Sequence, residues 1–76
     1  MDLGLWTEAI KDFEISLSIN PNSLLAEFSI GECYYKMSDF QKAKKHFQKA
    51  HEIDPTHDAP IKFLKMVEDK TNKKDI

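Results

Sequence analysis

The sequence repeats itself at an interval of 34 residues, and that interval constrains the fold more than any other feature. Sliding the chain by this offset places Trp6 on Phe40, Ala9 on Ala43, Lys11 on Lys45 and Phe13 on Phe47. Ile19, Asn20 and Pro21 fall on Ile53, Asp54 and Pro55. Aromatic, alanine, aromatic, aliphatic, acid or amide, and proline thus recur in one order. A repeat of this length is one supersecondary unit, which buries its apolar face only by stacking on its neighbours.

The spacing inside each unit is helical. Trp6, Ala9, Ile10, Phe13 and Leu17 are separated by steps of three, one, three and four, which predicts a helix over 6–19. The run Asn20-Pro21-Asn22-Ser23 stops it, because proline cannot donate to the helical ladder and disfavours helix in the residue before it. Ser23 is a suitable N-cap for a second helix over 24–37, with Glu27 near the positive end of its dipole. Ser38-Asp39 makes a short turn, a third helix covers 40–53, and Asp54-Pro55 ends it. Thr56, His57 or Asp58 caps a fourth helix over 58–71, where Pro60 is tolerated in the first turn. Turns this short force neighbouring helices to run antiparallel. The fold class is therefore all-α, with about four helices.

The second helix is apolar on two sides. Ile30, Tyr34 and Met37 form one stripe beside Gly31, while Leu25, Phe28 and Tyr35 form another. Such a helix is packed between neighbours, or packed on one side and presenting a binding surface on the other. A mid-helix glycine costs about 1 kcal/mol relative to alanine. Gly31 is therefore expected at a close helix–helix approach, and Gly4 at a turn.

Composition narrows the function. A chain of 76 residues is one small domain, burying roughly 60% of its unfolded surface. It holds no run of apolar residues long enough for a membrane span and no secretory leader, and its single cysteine, Cys33, has no internal partner. These features fit a reducing, intracellular and cytoplasmic setting. All 11 basic residues are lysine. Without the bidentate contacts of arginine, and with a net charge of -2, nucleic-acid binding is not expected. The charge is uneven: residues 1–38 are net acidic and residues 39–76 net basic.

The residues quoted above resemble the tetratricopeptide repeat, a helix–turn–helix unit with the same period. Ile30, Gly31 and Tyr34 match its first helix. Phe40, Ala43, Phe47, Ala50 and Asp54-Pro55 match its second, and Glu27 departs where the family often has tryptophan. The resemblance implies a half repeat over 1–21, a full repeat over 24–55, a capping helix over 58–71 and a polar tail over 72–76. Lys65 and Glu68, which stand 34 residues after Gly31 and Tyr34, suit solvent and support the capping reading. It further implies an alpha-alpha superhelix that serves as a scaffold or adaptor, with first helices lining a groove for a protein or peptide. Carried over residue by residue, the groove positions are Leu25, Phe28, Glu32, Tyr35, Ala59, Lys62 and Met66. The alternative, that these side chains fill space or contact further chain, stays open.

The first helix lacks a preceding partner and carries more apolar residues than one interface requires. The chain is accordingly expected to be a C-terminal piece of a longer array. The runner-up is a homo-oligomer that hides Trp6, Ile10 and Ile15 by self-association, and coverage by the second and third helices is the third possibility. The carboxylate clamp of the heat-shock chaperone adaptors is not expected, since Phe28 and Glu32 occupy two clamp positions and only Lys62 remains. Lys42, Lys45 and Lys49 read as a solvated convex face. Lys70, Lys73 and Lys74 suit a helix C-terminus.

No enzyme, cofactor or metal is expected. His46 and His51 are five residues apart, about 140° around a helix, so they do not share a metal. There is no His-Glu-x-x-His, cysteine pair or phosphate-binding glycine loop. His57 beside Asp54 and Asp58 reads as a capping turn rather than a cation site. Cys33 reads as a buried small hydrophobe, with no basic group placed to activate it.

Overall fold

The structure, a computed structural model, describes residues 3–71. Four helices follow in order: α1 (Leu3–Ile19), α2 (Leu24–Lys36), α3 (Phe40–Ile53) and α4 (Asp58–Thr71). The helix ends fall close to those that the prolines and caps predict. α1 differs most: it begins at Leu3, so Gly4 lies in its first turn rather than in a loop. The polar tail over 72–76, with Lys73 and Lys74, lies outside the described residues.

The connections explain the ends. The Ser23 hydroxyl accepts the Ala26 N–H at 3.2 Å and caps α2. At the other end, the Ser38 N–H reaches the Tyr35 carbonyl and the Asp39 N–H reaches the Tyr34 carbonyl. These two bonds form a Schellman closure, which places Ser38 in the left-handed region at φ 65°. Asp39 then caps α3 by accepting the Lys42 N–H at 3.4 Å. One carboxylate oxygen of Asp54 accepts both the Thr56 N–H (3.1 Å) and the Thr56 hydroxyl (2.7 Å). Of the three candidate caps for α4, His57 is used: its Nδ1 accepts the Ala59 N–H at 3.3 Å.

α2 is the central slab, as its two apolar stripes require. Its Ile30 and Cys33 pack with Ile10 of α1, and Trp6, Ala9, Phe13 and Leu17 lean on that cluster. Its opposite side meets a second cluster of Ala43, Phe47 and Val67. α3 in turn lies between α2 and α4. Phe47 is fully buried, and Gly31 is what lets α2 approach its ring. Two of the three side chains assigned to self-association are therefore occupied within the fold. Ile10 is only 6% exposed, and Trp6 is half-buried with the Lys36 ammonium 5.6 Å from its ring centroid. Ile15 is exposed, as are Leu5 and Ile19.

Candidate functional site

The predicted groove residues divide into a floor and its edges. Leu25, Phe28, Glu32 and Tyr35 are spaced three, four and three apart, so they share one face of α2. Phe28 and Tyr35 are half-buried, held by rings from both following helices. Phe28 lies 5.4 Å from Phe47 and 5.0 Å, edge to face, from Phe63 of α4. Tyr35 stands edge to face with Phe40 at 5.4 Å and with Phe63 at 6.3 Å. Such offset and edge-on pairs are the favoured aromatic geometries. Phe63 thus links α2 to α4 directly, and the floor is a packed aromatic surface.

The edges are open. Leu25, one turn before Phe28, is 69% exposed, and Met66, one turn after Phe63, is 39% exposed. Lys62 is exposed, while Glu32 and Ala59 are partly covered. The face therefore carries two free apolar anchors, an aromatic floor, one acid and one base. It can bury bulky apolar side chains and hold opposite charges beside them.

Sequence reasoning missed Phe63, because it stands 34 residues after Ser29 and so has no aromatic counterpart in the repeat. It also missed a buried polar pair. Glu27, 6% exposed, is the buried charged side chain among the described residues, and its Oε1 lies 2.8 Å from Nδ1 of His46. The His46 ring stacks on Tyr34 at 5.7 Å, and the Lys42 ammonium lies 5.5 Å from the centroid of the Tyr34 ring. A departure from the family pattern thus turns out to be a cross-helix contact between α2 and α3. An acid at a position where the resemblance expects an aromatic was the available signal.

The groups considered for chemistry are placed as follows. Cys33 is buried, and burial followed by the Glu32 carboxylate pushes its thiol above the ordinary range, with Lys36 partly opposing. A thiol so placed is a poor nucleophile. Among the described residues no three His, Cys, Asp or Glu side chains stand together as a metal site. No described helix is long and apolar enough to cross a membrane. An open concavity lies away from the groove, lined by Pro21, Asn22, Glu27, Lys49, Glu52 and Ile53.

Comparison with known proteins bears on the repeat. Residues 25–57 match the family model described as "Tetratricopeptide repeat". The chain is similar to human "Tetratricopeptide repeat protein 6", with 32% identity over 56 residues. That match covers 74% of this chain and 11% of the human protein, so the chain spans about a tenth of that relative. No solved structure gives a significant match. The helical hairpins, the period and these matches agree on a repeat of the kind that serves in protein–protein interaction.

Proposed function

Residues 25–57 are a tetratricopeptide repeat, and on that premise we propose that the chain is a non-catalytic module, part of a scaffold or adaptor, that holds a peptide or protein on the face shared by α2 and α4. The observation that carries the reading is the exposure of Leu25, three residues before Phe28, and of Met66, three residues after Phe63, beside the ring contacts of Phe28, Phe63 and Tyr35. Bulky apolar side chains of the partner bury against Leu25 and Met66 and rest on the rings. Burying one such side chain contributes about 1.5–3 kcal/mol. Glu32 and Lys62 set the polarity of the peptide, since each favours an opposite charge beside it.

The edges and the floor can be separated by mutation. Leu25→Asp with Met66→Asp removes the anchors at positions that hold up little of the core. Peptides selected from a displayed library on the native chain should bind this variant at least tenfold more weakly, while its helical circular dichroism stays unchanged. Equal binding by a folded double variant would refute the groove.

A further inference from the structure

The concavity away from the groove joins three segments: the turn at Pro21 and Asn22, α2 at Glu27, and α3 at Lys49, Glu52 and Ile53. Its volume is about 610 Å³, within the range of about 300–1,000 Å³ usual for binding pockets. Glu27 sets its chemistry. That side chain is 6% exposed, and a buried carboxylate is costly unless its charge is matched and its oxygens are bonded. Here one oxygen is bonded, Oε1, which lies 2.8 Å from Nδ1 of His46. Oε2 has no partner among the described residues. The sealed polar side-chain atom without a partner is Nδ1 of His51, so Oε2 of Glu27 still reaches the outside, at the concavity that Glu27 lines. The His46 ring is stacked on Tyr34, which holds it on Oε1.

We propose that this concavity takes an arginine side chain of a protein partner, with the guanidinium on Oε2 of Glu27 and on the Glu52 carboxylate. Two of the charged groups in the lining are acids and one, Lys49, is a base, so a cation is the favoured occupant. Glu52 is exposed and takes part in no ion pair among the described residues. A guanidinium presents its N–H donors in a planar fork and is weakly hydrated, so one group serves two carboxylates with little loss on leaving water. Pro21 and Ile53 give the aliphatic stem an apolar wall. The concavity is open, and a free small molecule would lack the enclosure that such ligands need. A side chain reaching in from a backbone that runs outside does not need it.

Lys49 gives the proposal a sign. Its ammonium is exposed and makes no ion pair among the described residues, and it repels an incoming cation. Removing it should tighten the binding of arginine, whereas removing either acid should weaken it. An anionic side chain would meet the reverse: one ammonium to attract it and two carboxylates to oppose it. The chain itself has no arginine, so a second copy cannot supply the occupant. The concavity shares no residue with the groove of α2 and α4, so the two readings stand or fall separately.

The probe is the blocked peptide acetyl-Gly-Ala-Arg-Ala-Gly-amide, titrated into the 15N-labelled chain. A twin carries citrulline, which keeps the shape of arginine and removes its charge. The arginine peptide should shift the amides of Asn22, Glu27, Lys49, Glu52 and Ile53 to saturation, and the citrulline twin should bind about fivefold more weakly. Glu27→Gln and Glu52→Gln should each weaken the arginine peptide about threefold, and Lys49→Met should tighten it about twofold. Glu52 is exposed, so its variant reads out even where Glu27→Gln disturbs the fold. Asp69→Asn, which removes an acid on α4, and Leu25→Ser with Met66→Ser in the groove should both leave the affinity unchanged. Equal binding of the two peptides, equal losses for Glu52→Gln and Asp69→Asn, or weaker binding by Lys49→Met would each overturn the proposal. So would shifts that map elsewhere, no shift at millimolar peptide, or methylguanidinium binding as tightly as the peptide.

Discussion

A Cβ built on Gly31 would lie 2.6 Å from Cε1 and 2.7 Å from Cδ1 of Phe47. That ring is fully buried and held by Phe28 and Phe63, so it has little room to retreat. Two effects then oppose each other in Gly31→Ala. Helix propensity favours alanine by about 1 kcal/mol, while overpacking of a filled core costs typically 1–3 kcal/mol. The clash should win, for a net loss of about 1 kcal/mol, read as a lower urea midpoint with an unchanged slope. Ser38 is the converse case. At φ 65° a side chain is strained by about 1–2 kcal/mol, and glycine gives back roughly half of that in chain entropy. Ser38→Gly should therefore stabilise by about 0.5–1 kcal/mol, raising the thermal midpoint by roughly 2–8 °C. Cys33 should react with a disulfide reagent at neutral pH far more slowly than free cysteine, because burial disfavours its thiolate. Gly31 was legible in the sequence, since a glycine inside a helical stripe asks for a close neighbour. Ser38 was not, because nothing in a Ser-Asp turn specifies a left-handed serine until the Schellman bonds are drawn.

At the scale of the element, the turns explain why the helix ends were so readable. Proline and a capping oxygen act locally, so Ser23, Asp39 and Asp54 do their work within three residues of their own positions. The pairing of Glu27 with His46 spans nineteen residues and two helices, and no local rule reaches it. The same limit applies to α1. Its apolar residues could be counted, but which of them α2 covers depends on packing, and that is why Ile10 is core while Ile15 is surface. The α3–α4 turn offers a test with a definite sign. Hydrogen bonds from the Thr56 hydroxyl and N–H hold the Asp54 carboxyl below its ordinary value. A carboxyl lowered on folding stabilises above its unfolded value of about 3.9, and that contribution is lost as pH falls through the lowered value. Thr56→Val removes the hydroxyl bond, so the Asp54 carboxyl should then titrate at higher pH in an NMR titration of its side-chain carbon.

At the scale of the whole molecule, the chain is a short stack in which α2 and α3 each sit between two neighbours, α1 packs on α2, and α4 packs on α3 and reaches α2 through Phe63. Its ends differ in chemistry. The α4 positions equivalent to Gly31 and Tyr34 are Lys65 and Glu68, which solvent satisfies. The exposed side of α1 keeps Ile15 and Ile19 beside Glu8 and Asp12, which solvent satisfies only in part. Between these ends, the side shared by Leu25, Phe28, Glu32 and Tyr35 was legible because helical periodicity fixes it, while its reading as a groove came from the family resemblance. Its floor was not, because the ring that joins α2 to α4 is Phe63, outside the repeated pattern. The proposed function turns on a partner sitting on this face. The most direct measurement is chemical-shift mapping of the 15N-labelled chain with a peptide selected from a displayed library. A peptide seated there should give the largest shifts at Leu25, Phe28, Glu32, Tyr35, Lys62 and Met66, with the α3 amides of Lys42, Lys45 and Lys49 unmoved. Shifts concentrated on those lysines of α3, with the groove residues silent, would contradict it.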